Sequence, residues 1–418
     1  MKTSKSEEEK WAEIGRIIRE VQEVKHHHHT LGEYLSDLTV KPLTGIPLAI
    51  IIILISFYLV RLVGEGLIGF VFDPLFDSYR PIAMGIYNWL DQGFLRDMLI
   101  GTLIDGKIDY LQSMGLLTTA IYVPFAAVLP YIISFYFMLS LLEDVGYLPR
   151  LATLVDNIFH KMGMHGHAIV SVFLGLGCNV PGALSTRILE TRKQRFISST
   201  LLAIAVPCMA QISMIFAIFS KLQSEFKHPP IVYISLVFIT LTCLYFIAGI
   251  LLHKFVKGES PEIFLEIPPY RRPSMRTIIK KTWMRVRWFL KEALPWLFVG
   301  VFLINVLYFI GFIDLLGNFF SPIMEGIFGL PGETSIVLLA GFLRKDLAVG
   351  LLLGLNVELK AMQLVIIATI LTIYFPCVAT FSVLFKELGI KDLLKSTAIM
   401  ITTAIVVGGI MRIILLGV

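Results

Sequence analysis

Gly175-Leu-Gly-Cys-Asn-Val-Pro-Gly182 lies inside an apolar segment, 162–186, with Lys161 before it and Arg187, Arg192, Lys193 and Arg195 after it. Its glycines and proline are too dense for an uninterrupted helix. If the segment crossed a bilayer, one basic flank would lie outside, against the positive-inside bias; a re-entrant hairpin keeps both flanks inside. A hairpin is therefore expected.

The rest of the chain supplies the membrane for it. The 418 residues are 56% hydrophobic and 16% charged, with a mean hydropathy of +0.78, whereas soluble domains are about a quarter charged. Further charge-free stretches cover 42–60, 110–142, 196–220, 228–253, 293–313 and 361–385, and 396–418 is broken only by Arg412. Each is near the roughly 20 residues that cross a hydrocarbon core as a helix. The fold class is all-α and polytopic. The first stretch follows some forty polar residues, so it reads as a retained span and not a cleaved signal.

The net charge of +5 does not indicate nucleic acid, because Lys and Arg fall between the apolar runs, as in cytoplasmic loops. Residues 1–41 form a cytoplasmic polar segment in which Trp11, Ile14, Ile17, Ile18 and Val21 recur at helical spacing within Glu7 to Val24, an amphipathic helix. His26 to His29 could bind a metal, yet four adjacent histidines cannot all face one ion on a regular element, so they read first as a solvated linker. Residues 42–109 comprise the first span and an acidic loop, 73–109, that belongs outside. Residues 254–292, with ten Lys or Arg, form a basic cytoplasmic loop between two larger units, 110–253 and 293–418. The protein is thus multi-pass in the cell membrane, with its N-terminus in the cytoplasm. Cys178, Cys208, Cys243 and Cys377 all fall in apolar stretches, which argues against a disulfide framework.

The two larger units repeat one another. Val206-Pro-Cys-Met-Ala-Gln-Ile-Ser213 and Phe375-Pro-Cys-Val-Ala-Thr-Phe-Ser382 share one pattern 169 residues apart. Pro130-Tyr-Ile-Ile with Gly146-Tyr-Leu answers Pro295-Trp-Leu-Phe with Gly311-Phe-Ile at an offset of 165, and the segment at Gly175 answers Gly341-Phe-Leu-Arg-Lys-Asp346 at 166. The charge-derived topology gives the two units opposite orientation. Inverted repeats with interrupted helices in matching places mark secondary transporters, whose site lies near the midplane at the breaks.

Proline within a membrane helix frees a carbonyl four residues earlier, which must then face protein, water or an ion. Pro181, Pro207 and Pro376 do so beside Cys178, Cys208 and Cys377. A single cysteine is as readily a small packing residue; three of four at breaks point to a cation site, with Cys243 as the packing counterpart. Asn179, Met209, Gln211 and Thr380 could add amide, thioether or hydroxyl ligands, although Met209 also suits helix packing. Mixed sulfur, nitrogen and oxygen sets suit Fe(II) and Mn(II) less tightly than all-thiolate sets suit Zn or Cu(I). His160, Met162, Met164, His165 and His167, before the hairpin, read as interfacial solvated residues or as an exit cluster. Glu143 and Asp144 read as interfacial acids or as groups that attract and pass a cation. Arg344, Lys345 and Asp346 interrupt an apolar stretch and must be paired or line water; Lys345 with Asp346 would be a latch or a gating pair. No G-x-x-x-x-G-K-[ST], H-E-x-x-H or C-x-x-C is present, so no enzyme is expected.

Gly175-Leu-Gly-Cys-Asn-Val-Pro181 with Thr186-Arg187 and Glu190 resembles the first gate motif of the FeoB ferrous iron transporters. Leu141-Leu-Glu-Asp-Val-Gly-Tyr147, Met164-His-Gly166, Lys345, Pro376-Cys-Val-Ala-Thr380 and Glu387-Leu-Gly389 resemble further parts of that family, and the resemblance covers about residues 10–418. It implies an inverted pair of gate units with broken helices and re-entrant hairpins, Fe(II) as substrate with no permanently bound cofactor, and Cys178 and Cys377 on the path. Family members carry a GTPase domain ahead of the first span, where this sequence shows only its connecting helix. The resemblance thus implies either a separate cytoplasmic GTPase subunit or a GTP-independent relative, with a small FeoA-like protein and a homo-oligomer as further candidate partners. Where the family shows Pro-Phe-Met-Ser-Cys and then Ala-Arg-Leu-Pro, this chain has Pro207-Cys-Met-Ala-Gln-Ile-Ser213, which keeps Mn(II) beside Fe(II). A nucleoside or small-solute carrier of gate-type fold and a non-transporting scaffold are the alternatives.

Overall fold

A computed structural model describes residues 7–21, 31–90, 93–101, 108, 110, 115–221, 229–258, 268–309, 312–343, 345, 348, 351–352 and 359–417. His26 to His29 lie outside the described residues. The described secondary structure is helical, and five of its helices are long and apolar enough to cross a membrane. The protein is an all-α polytopic membrane protein.

Two short helices, α1 (Glu7–Val21) and α2 (Leu31–Val40), precede α3 (Pro42–Leu67), whose first-turn proline sits where no N–H is needed. The acidic stretch expected as a loop continues α3 instead: one π-helical turn, Ile68–Phe72, leads directly into α4 (Asp73–Trp89). The reason is a second apolar face. Phe76 and Ala83 are buried with Ile108, Tyr110 and Ala126, and Phe76 meets Tyr122 edge-on at 4.8 Å. Acid-rich composition marked that stretch as solvated on one side only.

Helix α5 (Leu129–Val145) lies so close to α3 that a Cβ on Gly64 would fall 2.5 Å from Tyr131. Gly146, in the left-handed region at φ 87°, ends α5 and turns the chain into α6 (Tyr147–His160). The hairpin follows as α7 (Ala168–Gly177) and α8 (Asn179–Ser185), broken at Cys178. Its limbs are antiparallel neighbours: a Cβ on Gly182 would lie 2.9 Å from Gly175 Cα, and Ser185 Oγ donates to Ser171 Oγ at 2.8 Å.

Then come α9 (Arg192–Ala205), α10 (Met209–Lys221), α11 (Pro230–Phe255), α12 (Met275–Phe309), α13 (Phe312–Ile323), α14 (Thr334–Leu343), α15 (Ala361–Ile373) and α16 (Val378–Leu416). The basic stretch expected as a loop to 292 is helical from Met275, so Lys280, Lys281, Arg285 and Arg287 ride on α12. Long cationic side chains are good helix formers, and charge alone did not distinguish loop from helix.

Helices α9 and α15 form the centre, buried throughout 196–205 and 364–373. They run in opposite senses. Arg192, at the start of α9, pairs with Asp392 at 2.7 Å, and Arg187 pairs with Glu387; both acids lie where α16 kinks at Gly389 (φ 72°). Gln211, in the first turn of α10, bonds to Thr372 in the last turn of α15. So α9 runs from the Arg192 side to the centre, and α15 with the first limb of α16 runs through the centre toward that side. The second hairpin repeats the first. A Cβ on Gly341 would lie 3.4 Å from Ala348 Cβ, as Gly175 meets Gly182, and 2.6 Å from Leu371, as Gly175 meets Leu202.

Candidate cation site

The three break cysteines each occupy the residue before a helix. Cys178 precedes α8, Cys208 precedes α10 and Cys377 precedes α16. Their carbonyls accept the first helical bonds, from Gly182 at 3.2 Å, Ile212 at 2.9 Å and Phe381 at 2.9 Å. Proline sets two of these positions, since Pro207 and Pro376 fall in the non-helical links, where they cannot continue the preceding helix. Pro181 instead sits in the first turn of α8, where its missing N–H leaves no gap.

The breaks converge. Cys178 and Met209 line one small void, Gln211 reaches from the second break to the Thr372 carbonyl before the third, and Lys345 donates to the Leu371 and Phe375 carbonyls just ahead of Cys377. All three cysteines are half-buried, whereas Cys243 is exposed on the outer surface of α11 and is not a packing residue of the core. Among the described residues no three His, Cys, Asp or Glu groups stand in an arrangement that could hold a metal ion.

The polar neighbours divide into used and unused groups. Gln211 is fully engaged: Oε1 accepts the Cys208 N–H at 2.8 Å, and Nε2 donates to the Thr372 carbonyl at 3.2 Å. That carbonyl is the one Pro376 sets free, four residues on. Thr380 Oγ1 lies 3.2 Å from Cys377 Sγ. Asn179, 4% exposed, keeps its Oδ1 without a partner, and a buried unpaired carbonyl is costly unless something binds it. Met209 is half-buried against the main core and lines a small void with Cys178. Lys345, 4% exposed, donates to Leu371 O at 2.5 Å and Phe375 O at 2.7 Å and stands 4.4 Å from the Tyr374 ring centre. Asp346 lies outside the described residues.

The acids at the end of α5 are committed to the protein. Glu143 pairs with Lys281 at 3.0 Å and Arg285 at 2.6 Å, and Asp144 accepts the Ser274 N–H at 2.7 Å. Together they fix the start of α12 on α5. Beside them opens a cavity of about 440 Å³ lined by Glu143, Arg285, Trp288, His167, Tyr136 and Pro181, among others. A void of about 20 Å³ lies next to it, against Cys178 and Met209, and Tyr136 and Pro181 line both. Tyr136 was not singled out from the sequence; an aromatic in a run of aromatics carries no signal of its own. The histidine cluster is not simply solvated. His160 is exposed, but Met162, Met164 and His165 are buried, and His165 Nε2 has no partner. Basic flanks had suggested an interface, whereas packing of this stretch beneath α11, with Gly249 against Met162, takes it inside.

A family model described as "Gate: Nucleoside recognition" matches twice, at 125–222 and 290–391, on the two units found above, and one described as "Ferrous iron transport protein B C terminus" matches 234–285 between them. By these two models and by its relatives, the chain is similar to the FeoB family over most of its length. Within it, "Fe(2+) transporter FeoB" of Methanocaldococcus jannaschii is 26% identical over 92% of this chain and 59% of its own length. The protein of that name from Staphylococcus aureus (strain COL) is 27% identical over 68% of this chain and 46% of its length. A Porphyromonas gingivalis "Fe(2+) transport protein A/Fe(2+) transporter FeoB fusion protein" is 24% identical over 63% of this chain and 29% of its own. The chain thus spans about half the length of the curated FeoB relatives it matches.

Proposed function

We propose that this chain carries Fe(II) across the membrane through the meeting point of its broken helices, with the Arg192 side in the cytoplasm. The observation that carries the reading is the convergence of the breaks at Cys178, Cys208 and Cys377, each at a helix start, beside the unpartnered Oδ1 of Asn179. The thiolate is the form of cysteine that binds metal. With an amide oxygen and the Met209 thioether the cysteines make a soft, mixed set suited to Fe(II) at modest affinity. Thr380 adjusts the Cys377 thiol, and Gln211 holds two breaks in register. Pro207 and Pro376 fix where the helices stop and Pro181 sits in the first turn of α8, while Glu143 and Asp144 order the mouth of the cavity. The names of the FeoB relatives support iron as substrate, and the fusion relative supports an FeoA-like partner. A GTPase partner and self-association belong to the same proposal.

The description of the gate model favours a second reading, a nucleoside as substrate. Proteoliposomes separate the two. Wild-type vesicles should accumulate Fe(II), reported by an internal iron-sensitive dye, with Mn(II) as a competitor and a labelled nucleoside as a parallel cargo. Cys178→Ser should lower Fe(II) uptake to below about a tenth, given the weight of a single ligand in metal affinity. Nucleoside uptake without Fe(II) uptake, with or without GTP and a G protein, sinks the iron reading.

A further inference from the structure

The repeat offset of 166 that joins Gly175 to Gly341 also joins Asn179 to Lys345. Both residues are 4% exposed. Their polar groups differ in what they meet. Lys345 docks on the carbonyls of Leu371 and Phe375, at the frayed end of α15. The counterparts of those residues at the 169 offset are Leu202 and Val206, at the end of α9, and the first hairpin rests on them: a Cβ on Gly175 would meet Leu202 at 2.2 Å and Val206 at 3.2 Å. There the hairpin residue is Asn179, whose Oδ1 has no partner.

Carbonyls at a helix C-terminus carry the negative end of the backbone dipole and attract a cation. In the second unit that cation is supplied by the chain itself. We infer that Lys345 is a tethered cation that fills the second unit's carbonyl nest and confines a transported divalent cation to the first unit, at Asn179 with Cys178 and Cys208. The inference rests on the transport reading above and deepens it. The site is therefore lopsided, although the scaffold around it is repeated.

The test is anaerobic titration of the purified full chain in detergent with Co(II), followed by the thiolate-to-Co(II) absorption. Asn179→Lys places an ammonium in the first nest and should weaken Co(II) binding by about 100-fold or more, as an uncompensated like charge in a buried site does. Lys345→Gln keeps donors for the two carbonyls without the charge and should tighten binding by about tenfold. Asn179→Gln, which keeps the amide, should stay within a few-fold of wild type by the same reasoning. The two main variants touch different hairpins, so loss of fold in one, seen by size exclusion, leaves the other to decide. Wild-type binding with N179K unchanged, or with a folded K345Q no tighter, overturns this inference alone. No Co(II) binding by wild type or by K345Q overturns it together with the transport reading.

Discussion

Val206-Pro-Cys-Met-Ala-Gln-Ile-Ser213 and Phe375-Pro-Cys-Val-Ala-Thr-Phe-Ser382 place proline, cysteine and a helix start in the same order, yet the two breaks are secured by different means. In the first, the side chain three residues after the cysteine is Gln211, long enough to cap its own break and to reach Thr372 in the other. In the second it is Thr380, which reaches only the thiol of its own cysteine. The second break is therefore held from outside, by Gln211 and by Lys345. Repetition sets where the helices stop; the companion at one position sets whether a break is self-sufficient or leans on its partner.

Removing the longer companion should have the largest effect. Gln211→Ala leaves the Cys208 N–H and the Thr372 carbonyl unpaired at buried positions, and each such loss costs about 1–3 kcal/mol. The expected destabilisation is about 2–6 kcal/mol, read from the denaturation midpoint in detergent. A midpoint equal to wild type would mean that the bridge between breaks contributes nothing to the fold. Gln211→Glu can still accept from Cys208 but opposes the Thr372 carbonyl, and should fall between the two.

A smaller effect is expected at the first unit's approach. Tyr136 and Pro181 line both the large cavity and the void at Cys178. Tyr136→Ala should merge the two spaces and speed modification of Cys178 by a polar thiol reagent about tenfold, equivalent to about 1.4 kcal/mol. Tyr136→Phe should leave the rate unchanged, because the ring is what fills the gap. Mass spectrometry of the Cys178 peptide against the Cys377 peptide gives the rate with its own internal control. Equal acceleration at both cysteines would show general loosening and not a local door.

Much of this was legible before any coordinates. The glycines and proline of 175–182 dictate a broken segment, the basic flanks dictate that it returns, and the paired motifs dictate a repeat, because each depends only on local chemistry and spacing. The helix at 73–89 was not legible, since its apolar face is closed by residues some 35 to 50 positions later, such as Tyr110 and Tyr122. Nor was the docking of Lys345. The sequence shows that an intramembrane lysine needs a partner and offers Asp346 beside it, while the structure supplies carbonyls of α15 and of the link after it, 26 and 30 residues away. The bridging role of Gln211 was hidden for the same reason: a side chain proposed as a ligand on composition is taken up by a partner 161 residues distant.

Thr380 is where the comparison is sharpest, because the expected effect is smallest. Its hydroxyl is buried and its contact with Cys377 Sγ is a weak pair, while the Cys377 carbonyl keeps its bond from the Phe381 N–H whatever stands at 380. Thr380→Val removes the hydroxyl and nearly preserves shape, so the denaturation midpoint should move by less than about 1 kcal/mol. Fe(II) uptake should nonetheless change, since the thiol loses the neighbour that orients it. A stability loss as large as that of Gln211→Ala would mean that each break is held by its own companion after all. Thr380→Gln asks the converse question. If the scaffold alone decides reach, the longer amide at 380 should find the Ala203 carbonyl, the symmetry mate of Thr372, and stabilise the fold; if Lys345 and Gln211 already occupy the space between the breaks, it should destabilise it.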